Sequence, residues 1–235
     1  MTARTGPLHW LDVTQACLRN GDDLVSDAML LFEHERFPRA LSIAVLATEE
    51  YGKAIHAVTV LNLGGSPEEV VAFDRAARIH KTKLEAGRIW AAVLNPSESF
   101  DPEFRERVLA LVEQAAARKM DGFYVDRQPD GVGVPADITE AEAADSIAAA
   151  RHLGSQIRDR VSALDSDEAA SLLWEFGPEI TRALAARAEE LGATDIAVLA
   201  ALQAMLPGLG VPLTDSVNDD ARAVARVLPA DNEPD

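Results

Sequence analysis

Apolar residues recur along this chain at helical spacing, and strand-like alternation is scarce. The pattern predicts a first helix from Pro7 to about Glu33 and a second from Phe37 to Leu63. Only "ER" stands immediately before Phe37, so these two helices should pack antiparallel. "GGSPEEV" then stops one helix and starts the next. Gly64 and Gly65 suit a C-terminal cap, Ser66 an N-cap and Pro67 the first turn, with Glu68 and Glu69 favouring the dipole. A third helix is expected to about Leu94 and a fourth from Pro102 to Arg118. "KMDGFYVDRQPDGVGVPADITEAEA" interrupts the helical period as a Gly/Pro/Asp-rich connection, with one short extended piece, "FYVD", and an N-cap near Thr139.

Further helices are expected from about Glu140 to Ala163, from Asp167 to Leu191 with a kink at Pro178, from Asp195 to Met205 and from Ser216 to Val227. The class is all-α: an antiparallel helical bundle with a loop-rich insertion and extra C-terminal helices. The expected division is a bundle over 1–165, carrying the loop at 119–139, then added helices over 166–228 and an acidic tail over 229–235.

The second helix is apolar nearly all round, the mark of a central helix. Yet "TEEYGKAIH" places Glu49, Lys53 and His56 at i, i+4 and i+7, with Glu50 beside them. An unpartnered buried ion costs several kcal/mol, so these groups must pair or face water. On the third helix, "EEVVAFDRAARIHKTKLEAGRIWAAVL", His80 and Lys83 share the face of Ala72, Phe73, Ala76, Gly87 and Trp90. Arg78, Lys81, Glu85 and Arg88 point elsewhere. An inward His and Lys opposite an inward Glu–Lys stripe form a candidate inter-helix site. Tyr124 and Asp126 would project from one side of the extended piece, after a tight turn at Gly122. Each group also has a structural reading: a Glu–Lys helix pair, a satisfied core histidine, a packed tyrosine.

Charge narrows the function classes. The net charge of −17 is concentrated after residue 120, where 8 Lys/Arg face 22 Asp/Glu, against 14 and 17 before it. Such a surface argues against general nucleic-acid binding, and no DNA partner is expected. A single cysteine, Cys17, excludes an internal disulfide framework and a Cys-rich zinc site. The most apolar run, "IAVLAALQAMLPGLGVPL", is broken by Pro207 and Pro212. With no signal-peptide core at the N-terminus, a cytoplasmic protein without a membrane partner is expected.

The ordered trio of "TEEYGKA" on an Ala-rich helix, "HKTK" on the next, and "RKMDGFYVD" followed by Pro135 and a helix resembles the AbiV-type abortive-infection proteins of the HEPN-like helical group. The resemblance spans residues 15 to 165 and implies a bacterial anti-phage role in which the infected cell halts its own metabolism. It also implies a homodimer and, as in many HEPN-like proteins, metal-independent cleavage of RNA. The usual catalytic pattern of that group, an Arg followed four to six residues later by His, is met formally by Arg75 and His80 in "RAARIH", although Ala76 stands where a polar residue is usual. A regular helix sets Arg75 and His80 about 140° apart, so they share a site only across a distortion or between chains.

On this reading His80 moves the proton, Lys53 and Lys83 stabilise charge on phosphorus, Glu49 or Glu50 orients Lys53, and Tyr124 or Asp126 closes the site. Arg78, Lys81, Arg88, Arg118 and Lys119 offer a path for the RNA backbone. No cofactor or metal is expected. The Glu-x-x-His pairs of a di-iron bundle are missing, and inward lysines are poor company for a cation. The alternative is a non-catalytic defence protein that binds a phage or translation component, with the Glu–Lys–His cluster as a structural latch.

Overall fold

A computed structural model describes residues 6–93, 103–123, 126–128, 131–133, 137–162 and 167–191. Their elements run α1 (Pro7–Glu33), α2 (Phe37–Asn62), α3 (Pro67–Arg78), α4 (His80–Val93), α5 (Phe104–Phe123), β1 (Asp126–Gln128), β2 (Gly131–Gly133), α6 (Glu140–Val161) and α7 (Asp167–Leu191). The fold is all-α and HEPN-like; its only strands among the described residues form a three-residue antiparallel ribbon, Asp126 opposite Gly133.

Helix α2 is the axis of the bundle. Fifteen of its 26 residues are buried, and it contributes to three apolar clusters among the described residues, through Leu41 and Val45, then Ala54 and Ile55, then Val60 and Leu61. Helices α1, α4, α5, α6 and α7 all pack against it. Such encirclement explains why its sequence lacks a polar face. The turn from α1 into α2 is a Schellman closure, with Arg36 N–H donating to the Leu31 carbonyl and Glu35 in the left-handed region at φ 57°. The end of α2 closes in the same way on Gly64, and Ser66 and Glu69 then form a reciprocal capping box at the start of α3. Thr139 caps α6 through the same exchange with Glu142.

Three expectations are corrected. The helix expected from Pro67 to Leu94 is two helices, broken at Ile79, whose backbone is extended at φ −104° and ψ 110°. Helix α5 begins at Phe104 and continues to Phe123, five residues past the expected stop at Arg118. Gly122 is therefore helical rather than a turn; a Cβ there would lie 2.1 Å from the Ser42 hydroxyl and 2.2 Å from the Pro38 carbonyl, so glycine permits close approach of α5 to α2. Helix α7 runs through Pro178 and docks on the end of α2, Gly177 lying against the Asn62 carbonyl. The helices expected at Asp195–Met205 and Ser216–Val227, and the acidic tail, lie outside the described residues, as does Tyr124.

Candidate functional site

One stripe of α2 (Ser42, Val45, Glu49, Gly52, His56) repeats at spacings of three and four and faces α4 and α5. Its small members let neighbouring backbones in. The Ser42 hydroxyl donates to the Lys119 carbonyl at 2.8 Å, and the Lys83 carbonyl sits where a Cβ of Gly52 would be, 1.9 Å from that position. Between these two contacts lies Glu49, whose side chain is 2% exposed.

Glu49 is a hub for three nitrogen donors. Its Oε1 accepts from Lys119 Nζ at 2.6 Å. Its Oε2 accepts from His80 Nδ1 at 2.6 Å and stands 3.3 Å from Lys83 Nζ. Burial alone would raise the Glu49 pKa, but the hydrogen bonds from His80 and Lys119 and the charges of Lys119 and Lys83 outweigh it. The carboxyl is held below its usual range. An ionised carboxylate only accepts, so His80 carries a proton on Nδ1, and in the neutral ring Nε2 is the nitrogen that can accept one. The imidazole itself is 61% exposed. Glu49, Lys83 and Lys119 together carry one net positive charge beside that ring, within a strongly acidic chain.

The break at Ile79 aims the ring. His80 starts α4 instead of continuing α3, so the 140° separation that a regular helix imposes on Arg75 and His80 no longer applies. Arg75 lies on the exposed surface with Arg78, Val71 and Ile79.

Of the residues singled out in the sequence, Glu49, His80 and Lys83 thus meet. Lys53 does not join them: it pairs with Glu50 at 3.5 Å on a partly exposed strip. Burial lowers the pKa of His56, outweighing its hydrogen bond with the Thr82 backbone and the charge of Glu85. Asp126 begins β1, with its side chain outside the described residues.

The expected RNA path is dispersed. Arg78 is exposed, and Lys81 pairs with Glu113 at 2.5 Å on the surface. Arg118 pairs with Glu142 and, at 3.5 Å, with Asp121. Lys119 is buried in the hub rather than lying on an outer path. Arg88 is drawn inward beside a cavity of about 200 Å³ between α2, α5 and α6, where burial lowers its pKa. Among the described residues, no three His, Cys, Asp or Glu side chains are grouped to hold a metal ion. No described helix is long and apolar enough to cross a membrane.

Sequence reasoning missed Lys119 as a hub ligand, although the signal was present. Val108, Val112, Ala115, Lys119 and Gly122 are all buried and repeat at four, three, four and three residues, so Lys119 sits in the core stripe of α5. A second network, Tyr51–Asp22–Arg158, also escaped notice. The Tyr51 hydroxyl donates to Asp22 Oδ1 at 2.7 Å, and Arg158 pairs with the same carboxylate.

This all-helical bundle is that of a HEPN-like protein. The chain belongs to the AbiV family, whose HEPN_AbiV model matches residues 9–155. No curated protein and no solved structure matches it. Family membership connects the chain with an abortive-infection, anti-phage role.

Proposed function

We propose that this protein halts phage-infected cells as a metal-independent ribonuclease, with His80 as its proton-transfer group. The observation that carries this reading is the 2.6 Å bond from an exposed imidazole to a fully buried, ionised carboxylate. That arrangement orients a general base and stabilises the imidazolium it becomes. In the reaction, Nε2 of His80 takes the proton of an RNA 2′-hydroxyl. The freed oxygen attacks the adjacent phosphorus, and the bond to the 5′-oxygen breaks. The products are a 2′,3′-cyclic phosphate and a 5′-hydroxyl, the latter protonated by the imidazole of a second copy in a homodimer. The positive hub beside His80 offsets charge gathering on phosphorus. Exposed Arg78 and Lys81 guide the RNA backbone, and the target is cytoplasmic RNA.

The test is incubation of the purified protein with cellular RNA in a chelator. Cyclic-phosphate ends from wild type, and none from His80→Ala with an unchanged melting temperature, is the expected result. Intact RNA with wild type removes the proposal.

A second reading rests on a different observation: the ammonium groups of Lys83 and Lys119 both end on Glu49 and are buried. The hub would then be a latch tying α4 and α5 to α2 in a defence protein that binds a phage or translation component. Phage defence that survives His80→Ala but fails in proportion to melting temperature across Lys119 variants selects the latch.

A further inference from the structure

Arg88 of α4 reaches the cavity of about 200 Å³ between α2, α5 and α6. Its Nε is buried and makes no hydrogen bond, and no described carboxylate stands within ion-pair distance of its guanidinium. Burial lowers its pKa, and no neighbouring charge offsets that. A buried cation without a counter-charge is costly, so the site is short of one anion. The other charged groups at the cavity do not supply it. Arg118 and Glu142 bind each other, and the Thr139 N–H donates to the second oxygen of Glu142. Asp145 is exposed and forms no ion pair among the described residues. Leu41, Val45 and Ala115 give the cavity a buried apolar wall.

We infer that this cavity binds a short aliphatic carboxylate, its carboxylate paired with Arg88 and its hydrocarbon tail lying on Leu41, Val45 and Ala115. Three features favour this ligand class. A guanidinium offers a carboxylate two parallel N–H donors. One negative charge balances the unpaired Arg88, whereas a phosphate dianion would overshoot it beside Glu142 and Asp145. The volume lies below the range of about 300–1,000 Å³ usual for drug-sized ligands, which leaves room for a chain of a few carbon atoms. Arg88 lies about 12 Å along α4 from His80, and the site does not depend on RNA cleavage.

Thermal unfolding of the full-length protein in rising sodium butyrate, against sodium chloride of equal ionic strength, tests it. The expected result is a saturable rise in melting temperature beyond that in chloride. Butyrate should bind about tenfold more tightly than acetate, through its two further buried CH₂ groups. Arg88→Met should weaken butyrate at least about tenfold. In chloride its melting temperature should equal or exceed that of wild type, because no unpaired charge is left buried. Gln114→Glu adds a negative charge at an exposed position on the cavity and should weaken butyrate with the melting temperature in chloride unchanged. Asp145→Asn should tighten butyrate for the converse reason. A lower melting temperature of Asp145→Asn in chloride would identify Asp145 as the partner of Arg88 and overturn the site. So would a wild-type butyrate effect in Arg88→Met or Gln114→Glu, or no effect beyond chloride in wild type. Acetate binding as tightly as butyrate, or phosphate binding more tightly, overturns the aliphatic carboxylate assignment.

Discussion

Replacing Glu49 by Gln keeps the shape of the hub and removes the charge that two buried ammonium groups share. The side chains concerned are 2% (Glu49), 9% (Lys83) and 8% (Lys119) exposed, so solvent cannot take over the pairing. Removing one partner of a buried ion pair costs about 3–5 kcal/mol. A domain is stable by only about 5–15 kcal/mol in total, so about a fifth or more of the stability is at stake. With a urea dependence of about 2 kcal/mol per molar, the unfolding midpoint should fall by about 1.5–2.5 M. The triple change of Glu49, Lys83 and Lys119 to Met should recover most of that loss, because no stranded charge remains.

Acid titration supplies the matching control. The folded pKa of Glu49 lies below its ordinary 4.5, so its stabilisation is complete above that value and is lost as pH falls through the lower folded one. Glu49→Gln should flatten this part of the acid limb. A Glu49→Gln midpoint within about 0.3 M urea of wild type would refute the buried hub as a source of stability.

Gly52→Ala drives a Cβ into the Lys83 carbonyl, so it should cost at least about 1–3 kcal/mol in denaturant unfolding and abolish any activity that needs α4 in place. Glu142 is held down to about 2, first by the Thr139 backbone N–H and then by Arg118. Its contribution should therefore be present above pH 4.5 and disappear as pH falls toward 2, a step missing in Glu142→Ala when acid unfolding is followed by circular dichroism. At neutral pH, loss of that capping box should cost about 0.5–2 kcal/mol, seen as a lower melting temperature.

Helices with strong terminal chemistry were legible in the sequence. Pro7 and the short turn before Phe37 bound α1, and the Gly64–Gly65–Ser66–Pro67 series marked the end of α2 and the start of α3 residue by residue. The break at Ile79 was not, because "AARIHKTK" contains neither Gly nor Pro. Tertiary contacts seat α4 against α2 there: Gly52 admits the Lys83 backbone and Glu49 binds the His80 ring, while Ile79 takes up the extended conformation between α3 and α4.

The pairing of Glu49 with Lys83 was readable from helical phase because both are buried in apolar surroundings. His80 was expected inward on one continuous helix, whereas the break at Ile79 leaves its ring 61% exposed with Nδ1 turned to Glu49. Lys119 and Arg88 were placed outside for a related reason. Charged residues on a helix are assumed solvated unless the stripe around them is traced, and ending α5 at Arg118 cut that stripe short. The Tyr51–Asp22–Arg158 network depends on Gly21, Gly154 and Tyr51 meeting from three helices, which no local pattern encodes.

The central claim is that Glu49 holds His80 for proton transfer to and from RNA. The most direct measurement is the rate of RNA cleavage in a chelator by wild type, His80→Ala and Glu49→Gln, each at a temperature where circular dichroism shows it folded. The account predicts cyclic-phosphate products from wild type, none from His80→Ala, and a rate reduced by about a hundredfold or more in Glu49→Gln, as for loss of an oriented base. Folded His80→Ala protein that cleaves RNA at the wild-type rate would contradict it.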